Sequence, residues 1–195
     1  MPTKADWRRR FRAQREALTQ SQVDADSEAI RRHVVELPEI ANASSIFIYA
    51  STASEVQTYT LIEDLLASRK TVTVPRITDP DAGTMDAVVI HSLKDLVPDH
   101  GRFNLLAPRG SQTLDGPAEV IIMPGLAFSP TTGARLGMGG GYYDRYLSNQ
   151  VDHPGFRLGL AFEAQLTDGW PVEPHDHPVH AVATPKRVLR AAAAP

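Results

Sequence analysis

The sequence predicts an α/β fold built on a mainly parallel central sheet. Short β-branched runs alternate with helix-periodic stretches along most of the chain, the pattern of strands joined by crossover helices. The chain has 195 residues, of which 42% are hydrophobic; this suits one domain, or a domain with an appended arm, and buries a sizeable core without staples. No internal repeat or long linker divides it.

The elements follow in order. Residues 3–18 read as a helix, with Trp7, Phe11 and Leu18 near helical spacing as a narrow apolar stripe. Lys4, Arg8 and Arg15 share another face of it. A second helix is expected from about 24 to 37, with Ile30, Val34 and Leu37 inward and Pro38 ending it. Residues 45–50 (SIFIYA) read as a strand, and Thr58 as the cap of a helix carrying Leu61, Ile62, Leu65 and Leu66. Residues 71–74 form a β-branched run closed by Pro75, and 86–90, 119–123, 156–162 and 181–184 are further strands. The tail, 191–195, is small and featureless and is expected to fray. In a parallel sheet, ligands sit beyond the carboxyl ends of strands, so the loops after Ala50 and Met123 are the first places to seek a site.

Composition narrows the chemistry. The chain has no cysteine, which excludes a disulfide framework, a Cys-ligated zinc and a thiol nucleophile. The formal net charge is −3, which does not suggest a nucleic-acid binder. Lys4, Arg8, Arg9, Arg10, Arg12 and Arg15 crowd the first stretch, but it lacks a signal peptide's apolar run, and Asp6 and Glu16 interrupt it against a transit peptide. No apolar run is long enough to span a bilayer. The expectations are a cytoplasmic protein with no nucleic-acid or membrane partner, and a monomer is favoured.

The densest signal is residues 135–145, RLGMGGGYYDR, ahead of a helix expected at 142–147. Four glycines within five residues carry a high chain-entropy cost, compensated where backbone must come close to a ligand. Amides at a helix start form a phosphate site. Arg135 adds a cation suited to phosphate oxygens, and Asp144 a hard oxygen suited to Mg2+. The spacing is neither a Walker loop nor a dinucleotide fingerprint. A plain surface loop is the competing reading.

Residues 123–147 as a whole, MPGLAFSPTTGARLGMGGGYYDRYL, resemble the signature of the 5-formyltetrahydrofolate cyclo-ligases, also called methenyltetrahydrofolate synthetases. The resemblance extends from Lys4 to about Val188. It implies a three-layer fold with helices on both faces of the sheet: one domain over 1–190, residues 1–20 being a basic helical arm that contributes to the ATP site. It implies ATP and Mg2+ as cofactors and a reduced folate as substrate. Its nucleotide contacts map to Lys4, Arg8, Arg135, Leu136, Gly137, Met138, Gly139, Gly140, Gly141, Tyr142 and Tyr143, with Arg135 and Asp144 catalytic and Asp144 holding the metal. Its folate contacts map to Ala50, Glu55, Met138, Gly139, Gly140, Gly141 and Tyr142. Lys4 and Arg8 resemble the family's Lys-x-x-x-Arg pair, and Glu55 the glutamate of its Glu-Val-x-Thr segment, which hydrogen-bonds the pterin. A solvated basic face and an exposed loop carboxylate are the plainer alternatives.

Three positions depart from the family pattern. His180 stands where an aspartate is expected, Ala107 beside Pro108 replaces a glutamate, and Pro185 follows Thr184 where a glutamate is common. Imidazole is a poor ligand for Mg2+, and the spacing of His175, His177 and His180 matches no standard zinc pattern. Asp176 could assist the site indirectly. The resemblance implies cyclisation of 5-formyltetrahydrofolate to 5,10-methenyltetrahydrofolate through a phosphorylated formyl group, with release of ADP and phosphate. The departures motivate a rival, a catalytically impaired relative that binds nucleotide or folate. A ligase for another formyl or carboxyl substrate is a second.

Overall fold

The computed structural model describes residues 2–99, 105–150 and 155–192. Helix α1 (Lys4–Glu16) begins at a capping box in which Thr3 and Asp6 satisfy each other's backbone N–H groups. Helix α2 (Gln20–Val35) starts earlier than the sequence suggested, because Thr19 and Gln22 form a second such box. Pro38 does not only end α2. It opens a short helix, α3 (Pro38–Asn42), at the first-turn position where its missing N–H costs nothing.

Strand β1 (Ser45–Ile48) leads through a loop to α4 (Tyr59–Ala67) and then β2 (Thr71–Asp79) and β3 (Thr84–Ile90). Thr58 precedes α4, but its side chain makes no cap; its Oγ1 donates instead to the Tyr49 carbonyl at 2.7 Å. Pro75 was expected to close β2, yet the strand runs through it. The pairing of β2 with β1 ends at Thr73, while its pairing with β3 continues through Pro75, so Pro75 has a sheet neighbour on one side alone and is tolerated there.

Strands β4 (Leu96–Pro98) and β5 (Leu106–Pro108) pair with each other, and Ala107 lies in the latter. After β6 (Val120–Met123), the hairpin of β7 (Ala127–Phe128) and β8 (Arg135–Leu136) leads into the glycine loop and α5 (Tyr142–Ser148). Strands β9 (Phe156–Leu160), β10 (Ala181–Ala183) and β11 (Val188–Arg190) complete the sheet. Ala191 and Ala192, within the tail expected to fray, donate backbone hydrogen bonds to His180 and Thr131; residues 193–195 lie outside the described residues.

The seven-stranded sheet has the order β11-β10-β9-β6-β1-β2-β3. The neighbours from β10 to β2 are parallel, and β3 and β11 are antiparallel edges. Alternate residues of each strand face opposite layers. Ile46 and Ile48 pack with Val72, Ile122 and Leu158 against α2, α3 and α4. Phe47 and Ile121 pack on the other side with Tyr146 and Leu147 of α5. Helices therefore cover both faces, as expected. Helix α1 docks through Phe11 onto Leu126, Ala134, Leu136 and Trp170, which brings the basic arm beside the β7–β8 hairpin.

Candidate active site

Chain order places β1 between β2 and β6, the point where successive connections leave in opposite directions. Loops diverge there and leave a crevice beyond the carboxyl ends of the strands. A cavity of about 710 Å³ occupies it. The residues after β1 (Tyr49, Ala50) and after β6 (Pro124, Gly125) form its floor. Every residue to which the family resemblance gave a nucleotide, folate or metal contact borders this cavity: Lys4 and Arg8 from α1, Ala50 and Glu55 from the β1 loop, and the run from Arg135 through Asp144.

The β1 loop is tied by its own side chains. Tyr49 Oη donates to the Val56 carbonyl at 3.0 Å, and Thr58 Oγ1 accepts from the Ser51 N–H at 3.2 Å. Glu55 is thereby held inward, nearly buried. One carboxylate oxygen accepts from Thr52 N and Oγ1 at 2.8 and 2.9 Å, and the other lies 3.5 Å from Arg15 Nη1. Arg15 is itself nearly buried and supplies the counter-charge that a buried carboxylate needs. Sequence reasoning put Arg15 on the face of Lys4 and Arg8 but gave it no role; its position in that heptad-like series was the available signal.

The cavity also carries the cations Lys4, Arg8 and Arg135. Arg135 Nη2 donates to both oxygens of Asp144 at 3.0 Å, Nη1 to the Pro124 carbonyl at 3.3 Å, and Nε is buried with no partner. Asp144 also accepts from the His177 N–H at 3.2 Å. Arg8 Nε donates to the Gly137 carbonyl at 3.0 Å, so the arm touches the glycine loop directly. Gly139 and Gly141 have positive φ angles of 105° and 67°, which L side chains adopt at a cost. The hydroxyl of Tyr143 is buried without a partner beside Phe47 and the Arg135 guanidinium, and burial pushes its pKa up.

Lys4 reaches across to Glu173 at 2.9 Å and Asp176 at 2.8 Å. Burial opposes its charge, but the two carboxylates outweigh that and raise its pKa. Burial likewise pushes Asp176 up, and Lys4 with the Glu173 N–H brings it below the usual aspartate range. Oxygen and nitrogen atoms of Glu173, His175 and Asp176 lie within 4.8 Å of one another. Their carboxylates already hold the Lys4 ammonium, a contact that sequence reasoning did not foresee.

The three histidines do not converge. His175 lies 3.2 Å from Glu173, His177 Nε2 contacts Ser148 Oγ at 3.0 Å, and His180 stacks on Phe156 while accepting the Arg157 N–H at 2.9 Å. Burial and then the Arg157 charge lower the pKa of His180. None of His180, Ala107 and Pro185 borders the cavity, so the departures from the family pattern lie outside its wall.

The donors present suit a magnesium nucleotide. The orphaned Arg135 Nε, the cations of Lys4 and Arg8 and the loop amides suit phosphate oxygens. The Asp144 carboxylate, partly exposed to the cavity, is a hard oxygen donor suited to Mg2+. The cavity is also lined by the apolar groups of Tyr49, Ala50, Pro75, Ile77 and Met85 and by Glu55, which suits a flat heterocycle with a polar edge. Among the described residues no helix is long and apolar enough to cross a membrane.

The profile of the 5-formyltetrahydrofolate cyclo-ligase family matches residues 1–185. The 5-formyltetrahydrofolate cyclo-ligase of Escherichia coli K12 is 32% identical over 181 residues, spanning 91% of this chain and 98% of the relative. The Mus musculus 5-formyltetrahydrofolate cyclo-ligase is 31% identical over 170 residues, 78% of this chain and 79% of that one. The NMR structure of Aquifex aeolicus 5,10-methenyltetrahydrofolate synthetase matches with a TM-score of 0.80 at 27% identity, covering 96% of this chain and 92% of that chain. By sequence across most of its length and by fold, the chain belongs to the 5-formyltetrahydrofolate cyclo-ligase family.

Proposed function

We propose that this protein catalyses the ATP- and Mg2+-dependent cyclisation of 5-formyltetrahydrofolate to 5,10-methenyltetrahydrofolate, releasing ADP and phosphate. One observation carries the reading: a single cavity brings together the glycine loop with Arg8 and Arg135, and the apolar side chains of Ala50, Ile77 and Met85 with the buried Glu55 carboxylate. The first matches a triphosphate and the second a reduced pterin.

In the overall reaction the formyl oxygen displaces ADP from the γ-phosphorus, N10 then attacks the formyl carbon, and phosphate departs with that oxygen as N10 loses its proton. Mg2+, when bound, would supply charge neutralisation and alignment of the phosphates. The residues of this chain do the rest. Glu55, fixed by Thr52 and Arg15, accepts donors on the pterin edge and orients the formyl group. Arg135, Arg8 and Lys4 bind phosphate oxygens and offset the charge that grows on them. Asp144 offers the carboxylate for the metal. Ala50, Ile77 and Met85 exclude water from the folate side. Phosphoryl transfer depends mainly on such alignment and charge stabilisation.

The test is turnover. The methenyl product absorbs in the near ultraviolet, and its band is expected when 5-formyltetrahydrofolate, ATP and Mg2+ are all present, and lost when any one is left out. Nucleotide or folate binding without that band would favour the impaired-relative reading. The position of His180, Ala107 and Pro185 outside the cavity wall supports turnover over binding alone.

A further inference from the structure

We propose that Arg145 is a positioning residue for nucleotide binding, seating the glycine loop against the turn between β2 and β3. The inference rests on the reading of that loop as the phosphate site. Arg145 follows the loop on the first turns of α5. Its Nε donates to the Gly83 carbonyl at 2.9 Å, and its Nη2 donates to the Gly140 carbonyl. One planar guanidinium thus bridges two backbone segments that are far apart in sequence, a task suited to arginine's fixed fork of donors.

The contact between turn and loop is close. Gly83 is buried with φ of 67°, and a Cβ there would overlap the Arg145 guanidinium and lie 3.0 Å from the Gly140 carbonyl oxygen. A Cβ on Gly141 would lie 2.8 Å from Arg145 Nη1. The turn is itself rigid, because Asp79 Oδ1 accepts from the N–H groups of Asp81 and Ala82 at 2.8 and 2.9 Å. Tyr142 adds a long contact, its hydroxyl 3.4 Å from the Pro80 carbonyl. Gly83 and Pro80 do not border the cavity, whereas Ile77 and Met85 on the same hairpin do. The hairpin therefore forms part of the folate wall and, through Arg145, also braces the nucleotide wall.

Arg145 is exposed and borders the cavity, so direct contact with a phosphate is the competing role, and hydrogen exchange of the turn measured without nucleotide separates the two. Dissociation constants for MgATP, measured by calorimetry without folate, are compared for wild type, Arg145→Gln, Arg145→Lys, Gly83→Ala and Arg145→Gln/Gly83→Ala. Loss of one or two hydrogen bonds predicts weakening of about 3- to 10-fold for Arg145→Gln. Gly83→Ala displaces the guanidinium and is expected to match it. The double variant is expected to be no weaker than the weaker single, because both changes remove the same bridge. Arg145→Lys is expected to fall between wild type and Arg145→Gln.

Hydrogen exchange of the amides in residues 79–84 is expected to rise in Arg145→Gln without nucleotide present. Unchanged exchange would overturn the proposal, even if Gly83→Ala failed to fold. So would normal affinity in Gly83→Ala beside a weakened Arg145→Gln, or additive losses in the double variant. Arg135→Gln serves as the separate check on the loop itself. If that variant keeps wild-type affinity, the phosphate-site reading falls and this inference with it; if it is impaired while Gly83→Ala is not, the bracing role alone falls.

Discussion

Replacing Glu55 with glutamine changes one atom and removes one charge, and the structure separates its two consequences. In the folded protein Glu55 faces Arg15, with side-chain exposures of 8% and 5% and a 3.5 Å contact. Removing one partner of a buried ion pair costs about 3–5 kcal/mol. The long contact, and the carbonyl oxygen that glutamine keeps for Thr52, bring the expected loss to about 2–3 kcal/mol. For a chain of this size that is a fall in Tm of roughly 4–12 °C. In the complex, a charge-assisted hydrogen bond to the pterin edge is worth about 1.5–3 kcal/mol. Its loss predicts a folate KM raised about 10- to 150-fold, with the KM for ATP nearly unchanged because the phosphates are assigned to the glycine loop and its cations. The assay follows methenyl-product absorbance below the variant's Tm, varying each substrate in turn. A lowered Tm with an unaltered folate KM would refute the pterin role and leave Glu55 as a structural partner of Arg15.

Three further outcomes follow. Asp144→Asn is expected to lower kcat by about 10²–10³-fold and to raise the Mg2+ concentration needed for half-maximal rate, measured by metal titration; robust turnover at low Mg2+ would remove the metal assignment. Gly159→Ala places a methyl group into the Phe128 ring, so overpacking is expected to cost about 1–3 kcal/mol in urea unfolding, with kcat per folded molecule retained. His180 has a lowered folded pKa, so the unfolded state binds more protons below its ordinary value of about 6.5. Stability is therefore expected to fall as the pH drops from about 6.5 towards the folded pKa, and His180→Gln should flatten that slope in Tm measured against pH.

Much of the architecture was legible because its signals are local. The short apolar runs that became β1, β6, β9 and β10 alternate between two buried faces, and the stretch over 61–66 carries helical spacing. The misreadings trace to context that lies elsewhere in the chain. Pro75 looked like a strand end, and only the early end of the β1 pairing explains why β2 continues through it. Thr58 had the right type and place for a cap, but the Tyr49 carbonyl competes for its hydroxyl. Strands of two or three residues, such as β7, β8 and β11, are too short to show a period. The same holds at the site. The glycine loop is contiguous and could be read directly. The Arg15–Glu55 and Lys4–Asp176 pairs join residues 40 and 172 positions apart and follow from where α1 docks.

The central claim is that the triphosphate lies against the amides of residues 139–141 with Arg135 and Asp144 beside it. A crystal structure of the protein with Mg2+ and a non-hydrolysable ATP analogue tests this most directly. The account predicts phosphate oxygens within hydrogen-bonding distance of those amides, Arg135 turned onto them, and the metal on Asp144. A nucleotide bound away from this cavity, with the Arg135–Asp144 pair intact and the loop untouched, would contradict it.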